Sequence, residues 1–149
     1  MKQENNDLFE IIKESMELKD LDIVNYSPLT LAYIGDGIYE IVVRTVIVDE
    51  ANRQVHKIHK MASDLVKAGA QAKIIHLLMD RLTQEELQIY KRGRNAKAIT
   101  RAKNASMTEY RTATGFEALM GWLYLTGQSG RMMRLIKEGL ELLKEEEET

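Results

Sequence analysis

The sequence of 149 residues contains no cysteine, a single proline and no long uncharged apolar run. The lack of cysteine excludes a disulfide framework and a thiol nucleophile. No uncharged apolar run approaches the roughly 20 residues that a membrane-spanning helix needs. The polar, acidic N-terminus MKQENNDLFE is unlike a signal peptide. We therefore expect a single-domain cytoplasmic protein with no membrane partner, long enough to bury a core.

Apolar residues recur at helical spacing along most of the chain, and no segment shows sustained strand alternation. The pattern predicts an all-α fold, a single-domain helical bundle. Helices are expected at residues 6–19, Leu29 to about Val48, 55–66, 72–79, 84 to about 91, Thr112–Leu125 and about 132–143. Ser27-Pro28 and a capping box that begins at Thr83 provide two of the helix starts. A long polar loop is expected from Gly93 to about Met107.

Two of the predicted helices carry isolated carboxylates within otherwise apolar segments. In LTLAYIGDGIYEIVVRTVIV the charged residues are Asp36, Glu40 and Arg44, and in TATGFEALMGWLYLTG the only one is Glu117. Burial of an unpaired carboxylate is costly unless it is paired or bound to a metal. These positions therefore indicate a site.

Asp36, Glu40 and Arg44 follow one another at intervals of four residues, so they share one stripe of the helix. Glycines flank Asp36 on both sides, although each costs about 1 kcal/mol in a helix. Their presence suggests that something approaches the backbone closely there. A Glu40–Arg44 ion pair with glycines that allow tight helix packing is the alternative. Asp36 itself has no basic residue three or four positions away.

Glu117 shares its helical face with apolar and small residues, so it belongs to a packed surface. Neighbouring helices could bring it against Asp36, and two adjacent carboxylates repel unless a cation or proton separates them. Mg²⁺ or Mn²⁺ suits such an oxygen site, with Glu40 as a possible further ligand. A structural pairing of Glu117 with a core arginine or tyrosine is the alternative. Zinc is less well supported, because the histidines follow no zinc-binding pattern.

The net charge is only −2, yet the basic residues are unevenly distributed. The segment from Lys91 to Arg111 contains seven cations and one acid, Glu109. Such a local patch can bind phosphates while the whole chain stays acidic. The predicted RNA-binding residues are Lys91, Arg92, Arg94, Asn95, Lys97, Arg101 and Lys103. A solvated mobile loop is the alternative.

Three motifs resemble the ribonuclease III family, and most closely its short bacterial form, Mini-ribonuclease III, which lacks a double-stranded-RNA-binding domain. These are AYIGD, KRGRNAK and YRTATGFEALMG, in that order. The resemblance covers about residues 27–143 and implies a catalytic domain of the ribonuclease III endonuclease type. Residues 1–26 are then an N-terminal helical extension, and residues 144–149 an acidic tail. Where the full-length family has further acids, this chain has Leu29, Ala32 and Thr114.

The resemblance implies a metal-dependent endoribonuclease in which Asp36 and Glu117 are catalytic and bind the metal. A water oriented by the cation would hydrolyse a phosphodiester of double-stranded RNA and leave 5′-phosphate ends. The resemblance further implies maturation of the large-subunit (23S) ribosomal RNA precursor, with a possible ribosomal-protein context. It also implies a homodimer, for which apolar stripes of the Leu29 and Thr112 helices could supply the interface.

Two other functions fit the sequence. One is a non-catalytic helical double-stranded-RNA-binding protein of the same fold, with too few acids to hold metal. The other is an all-helical interaction module that uses its basic loop on an acidic protein.

Overall fold

The structure is a computed structural model that describes residues 7–50, 55–96 and 106–149. Those residues form α-helices and two short 3-10 helices, without any strand, so the predicted all-α fold is confirmed. The helices are α1 Leu8–Ser15, α2 Pro28–Glu50, α3 Val55–Val66, α4 Ala68–Leu78, α5 Gln84–Asn95, α6 Met107–Leu125 and α7 Ser129–Glu148. The 3-10 helices are Ile23–Asn25 and Met79–Arg81. The acidic residues 145–148 thus form the end of α7.

Helix α6 is the centre of the bundle. Helices α2, α4, α5 and α7 all pack against it. Apolar side chains lie on every side of α6, and those of Phe116, Leu119, Met120 and Leu123 are fully buried, as expected for a helix without a polar face. The helix begins at Met107, five residues before the predicted start at Thr112. The Ser106 hydroxyl caps it by accepting a hydrogen bond from the Glu109 N–H at 3.1 Å.

Two glycines set the crossing of α2 and α6. A Cβ atom on Gly35 would collide with the Glu117 carbonyl group, and one on Gly121 would collide with the Leu31 carbonyl group. The two backbones are therefore in direct contact. The close approach predicted beside Asp36 is thus made by another helix. Gly37 differs, because nothing lies within 4 Å of the position of its Cβ.

The N-terminal helix ends earlier than predicted. After Ser15 the chain turns at Glu17, whose φ of 53° lies in the left-handed region. The Leu18 N–H bonds to the Lys13 carbonyl at 2.9 Å and the Glu17 N–H to the Glu14 carbonyl at 3.3 Å. This is a Schellman motif, which closes a helix. The prediction of a helix to residue 19 was wrong, because Leu18, although at helical spacing, is part of the motif that ends the helix.

Helix α5 extends beyond the end predicted from the sequence. It continues to Asn95, so the predicted polar loop does not begin at Gly93. Gly93 is buried, and its Cβ position would lie 2.7 Å from the Ala118 Cβ and 3.0 Å from the Gly115 Cα. This glycine therefore allows α5 to pack closely on α6 and does not mark the start of a loop.

The start of α5 is held by a buried ion pair. The capping box predicted at Thr83 is confirmed, with Glu86 as its second member. Arg131 of α7 donates two hydrogen bonds to the Glu86 carboxylate, both at 2.9 Å, and a third to the Arg81 carbonyl at 2.7 Å. The pair therefore fastens α5 to α7. None of the helices described is both long and apolar enough to cross a membrane.

Candidate active site

The α2–α6 crossing brings the two isolated carboxylates together. Asp36 follows Gly35, and Gly35 contacts the backbone of Glu117 itself. The Asp36 side chain lies on the exposed side of α2, whereas that of Glu117 is partly buried. Asp36 lies near enough to raise the pKa of Glu117. The predicted meeting of these acids is therefore present in the structure.

The electrostatics of Glu117 are those of an unpaired acid. Burial, and after it the hydrogen bond and charge of Asp36, raise the pKa of Glu117 to about 9. Within the described ranges, Glu117 forms no ion pair with an arginine or lysine, and no tyrosine hydroxyl bonds to it. The alternative of a structural pairing thus has no support there. Two acids in this state need a proton or a cation between them.

A third polar group, Gln71 of α4, lies at the same place. Its side chain is buried, its Nε2 donates to the Val66 carbonyl at 2.8 Å, and its amide favours the charged form of Glu117. The Gln71 Oε1 is buried and has no hydrogen-bond partner among the described residues. The sequence analysis missed Gln71. The available signal was its helical spacing with Ile74, Ile75 and Leu78, which marks a polar residue on an apolar face.

This donor set fits a small divalent cation. Two carboxylates and an unsatisfied amide oxygen are hard oxygen ligands, and Mg²⁺ is commonly held by one or two carboxylates with water at the other positions. In the described part of the chain, no group of three or more acidic, histidine or cysteine side chains is arranged to hold a metal. Asp36 and Glu117 are the two carboxyl groups that lie at this crossing.

Glu40 and the histidines have other surroundings. Arg44 Nη2 donates to Glu40 Oε1 at 2.7 Å, so the ion pair considered as an alternative is formed. A role of Glu40 as a further metal ligand stays a prediction. His56, His59 and His76 are all exposed, and the described residues include no zinc-like cluster.

The basic segment begins on α5 and lies against the stretch of α6 that carries Glu117. Lys91 and Arg92 are exposed there. The Arg94 guanidinium lies over the Tyr90 ring, 5.6 Å from its centroid, and its Nε donates to Asn95 Oδ1 at 3.3 Å. The close contact of Gly93 with Gly115 and Ala118 fixes this end of α5 against α6. The other predicted RNA-binding residues, Lys97, Arg101 and Lys103, fall outside the described residues.

Comparisons with known proteins identify the family. A sequence model of the ribonuclease III domain matches residues 29–128. The chain belongs to the ribonuclease III family. Among curated proteins, it is 43% identical over 130 residues to Mini-ribonuclease 3 of Clostridium tetani, covering 87% of this chain and 86% of that protein. It is 48% identical over 117 residues to Mini-ribonuclease 3 of Enterococcus faecalis, covering 77% and 89%.

A solved structure has a similar fold. A crystal structure of a Fusobacterium nucleatum protein superposes with a TM-score of 0.72 at 29% identity, covering 80% of this chain and 96% of that one. The predicted resemblance to Mini-ribonuclease III is confirmed. As a member of the ribonuclease III family, the chain is an endoribonuclease that acts on RNA. Neither non-catalytic alternative gains support from these relatives.

At the positions where the full-length family has further acids, this chain has uncharged side chains. Ala32 and Thr114 are buried, and Leu29 is partly buried. The Thr114 hydroxyl donates to the Tyr110 carbonyl of its own helix at 2.9 Å. Asp36 and Glu117 are thus the two acids that the described residues place together at the α2–α6 crossing.

Proposed function

We propose that this enzyme cleaves double-stranded RNA with Mg²⁺ at the Asp36–Glu117 pair, and that Mn²⁺ can replace Mg²⁺. Enzymes of this family generally depend on divalent metal. The observation that carries the proposal is the meeting of two carboxyl groups, without a basic partner in the described ranges, at the backbone contact of α2 and α6. Bound Mg²⁺ would supply Lewis-acid activation of water and neutralise phosphate charge.

The chain's own residues bind the cation and the RNA. Asp36 and Glu117 hold the cation, and Lys91, Arg92 and Arg94 bind backbone phosphates on either side of the cut. Water adds its oxygen to the phosphorus, the bond from phosphorus to the 3′ oxygen breaks, and that oxygen takes a proton. The products are a 5′-phosphate and a 3′-hydroxyl end. The duplex is recognised by shape and 2′-hydroxyl groups, as is usual for double-stranded RNA.

We infer that the precursor of the large-subunit (23S) ribosomal RNA is the substrate in the cytoplasm, which the resemblance to Mini-ribonuclease III supports. A duplex RNA labelled at its 3′ end tests the activity, because the labelled product then carries the new 5′ end. Cleavage in Mg²⁺ is expected to stop in excess chelator, and single-stranded RNA of the same sequence should stay intact. Products without a 5′-phosphate, or equal cleavage of the single strand, would contradict the proposal.

We also propose a homodimer, which places one site against each strand. Exposed apolar side chains recur along α2, with Tyr33 82%, Ile41 52% and Val48 51% exposed. Most apolar side chains of α6 are buried in the core. We therefore propose the interface for α2 alone, whereas the sequence predicted that both helices contribute. Analytical ultracentrifugation should give about twice the chain mass of 17.1 kDa. Ile41→Glu should give the monomer, whereas Met133→Glu, on α7, should not.

A further inference from the structure

Most of the apolar surface of α1 faces away from the core. Apolar residues recur along this helix and its C-cap at the spacing typical of an amphipathic helix that covers a core. Four of these side chains are nevertheless between 40% and 68% exposed, and we call them the α1 stripe: Leu8, Ile11, Ile12 and Met16. The amphipathic pattern of α1 is therefore not explained by packing among the described residues.

Helix α1 is attached to the protein by one edge. Only Phe9 of this helix is buried, and its ring meets the Tyr124 ring of α6 edge-on, with 5.2 Å between the centroids. Glu10 and Lys13, on the polar side of Phe9, are half-buried. The aromatic contact thus holds α1 on the surface of the protein while the α1 stripe stays accessible.

Acidic side chains accompany the α1 stripe. From Leu8 to Asp22 the sequence has five acids and two lysines, a net charge of −3. Glu10 and Glu14 follow each other at an interval of four residues, and neither forms an ion pair within the described ranges. Lys13 is already bonded to Asp20 at 2.7 Å. The surface around α1 is therefore both apolar and negatively charged.

This combination determines which kinds of partner suit the surface. RNA and anionic lipid surfaces carry negative charge, so the acids repel them. A second copy that used the same face in a symmetric contact would place these acids opposite their own equivalents. Residues 1–6, MKQENN, offer a single apolar side chain for such a stripe. A positively charged partner with an apolar face remains.

We propose that the α1 stripe is a docking surface for a cationic amphipathic helix of another protein. The apolar face of that helix would cover the α1 stripe, and its lysine or arginine side chains would meet Glu10 and Glu14. The stripe spans little more than two helical turns, about 12 Å at 1.5 Å per residue. Such a small interface is typical of a transient contact. Binding should therefore be weak, and it should weaken further as salt screens the acids.

The apolar part of the surface is tested with a fluorescein-labelled helical peptide made of leucine and lysine, with the leucines on one face. Fluorescence anisotropy measures its affinity for the full chain without RNA. Ile11→Gln with Ile12→Gln should weaken binding about 10-fold, because the peptide loses apolar surface to bury while glutamine still favours a helix. Val55→Gln with Met133→Gln, the matched control, removes two exposed apolar side chains from α3 and α7 and should bind the peptide as the wild type does.

The acidic part of the surface is tested by removing charge. Glu10→Gln with Glu14→Gln should weaken binding about threefold at low salt and less at high salt. Glu146→Gln with Glu147→Gln, at the exposed end of α7, removes the same charge and should leave the affinity unchanged. A peptide with glutamate in place of every lysine should not bind.

Three results would overturn the proposal. Equal losses of affinity in the α1 variants and in their controls would show unspecific attraction, and so would binding of the glutamate peptide. No binding of the lysine peptide to the wild type would leave the α1 stripe without this kind of partner. A lower mass of the Ile11 and Ile12 variant in analytical ultracentrifugation would show that the stripe joins two copies of the chain. RNA cleavage should be the same in all these variants, because the proposal does not depend on that function.

Discussion

Gly35 of α2 lies directly against the backbone carbonyl of Glu117 on α6, with no room for a methyl group between them. The contact places Asp36, the next residue along α2, beside the carboxyl group of Glu117. A glycine that looks unfavourable in a helix by propensity is therefore the residue that assembles the site. The reciprocal contact of Gly121 with the Leu31 carbonyl fixes the same crossing one turn away.

Alanine at the two glycines of α2 should have opposite effects. Gly35→Ala would force the helices apart and should lower the free energy of unfolding by at least about 2 kcal/mol, with loss of cleavage. The methyl group of Gly37→Ala meets open space. This variant should raise the free energy of unfolding by about 0.5 to 1 kcal/mol, because alanine favours a helix. Urea denaturation of the two variants is the measurement. Equal stability of both would contradict the described crossing.

The Glu86–Arg131 pair should make stability depend on pH. The hydrogen bond from Arg131, foremost, holds the pKa of Glu86 below its ordinary value of 4.5. A lowered pKa gives stability that is present above about pH 4.5 and is lost as the pH falls through the lower folded-state value. Glu86→Gln should therefore cost about 2 to 3 kcal/mol at pH 7 and progressively less below pH 4.5.

The control for that pair is Glu138→Gln. Glu138 faces Arg81 at 3.6 Å, and both side chains are substantially exposed. Exposed pairs contribute roughly 0 to 1 kcal/mol, so this variant should be close to the wild type at pH 7. Urea denaturation at pH 7, 5 and 3 compares the three proteins, and a Glu86→Gln cost that does not change with pH would refute the ionic role.

Glu117 should give the metal-free protein the opposite pH dependence. Burial and Asp36 raise the pKa of Glu117 to about 9, so the folded state keeps a proton that the unfolded state releases near pH 4.5. Stability from this group is present below about 4.5 and is lost as pH rises towards 9. In chelator, the free energy of unfolding of Glu117→Gln relative to the wild type should rise as the pH increases from 5 to 8. The rise should be at least about 1.4 kcal/mol, the free energy of one pKa unit.

If the stability gain of Glu117→Gln over the wild type is the same at pH 5 and at pH 8, Glu117 is ionised in the folded protein. Added Mg²⁺ should reduce the gain at pH 8, because a bound cation favours the charged carboxylate. The same experiment with Glu109→Gln, an exposed acid at the start of α6, should show no such gain.

The basic residues on α5 should determine how RNA binding responds to salt. Lys91 and Arg92 are exposed, and if each contacts one phosphate, Lys91→Ala with Arg92→Ala should flatten the slope of log affinity against log salt by about 2 units. Unrelated duplex sequences should be affected alike. Lys137→Ala with Lys144→Ala, on α7, removes the same charge and should leave the slope unchanged. If the Lys137 and Lys144 double variant flattens the salt slope and the Lys91 and Arg92 double variant does not, the RNA binds another surface.

The sequence analysis predicted the elements whose signals are local. The apolar segments of α2 and α6 and the two acids within them are visible as patterns, and helix packing brought the acids together as expected. The end of α5 was missed because Gly93 looks like a helix breaker, and only its contact with Gly115 and Ala118 shows otherwise. Glu17 carries no compositional sign of its left-handed backbone.

Gln71 was missed for a related reason, because helical spacing marks it only as a polar residue on an apolar face. A glutamine within AGAQAKII is unremarkable by composition, and its meaning arises from Val66 and Glu117, which other helices bring to it. The separate roles of Gly35 and Gly37 are likewise visible only once α6 is in place. Contacts between distant segments therefore account for what the pattern of residues left undetermined.

The most direct test of the central claim, that Asp36 and Glu117 form the catalytic metal site, is cleavage by Asp36→Asn. Asparagine removes the charge but little volume, so fold and duplex binding should stay close to those of the wild type. Cleavage in Mg²⁺ should be lost, and binding in Ca²⁺ should be retained. Wild-type turnover by folded Asp36→Asn protein, or full wild-type activity in excess chelator, would contradict the claim.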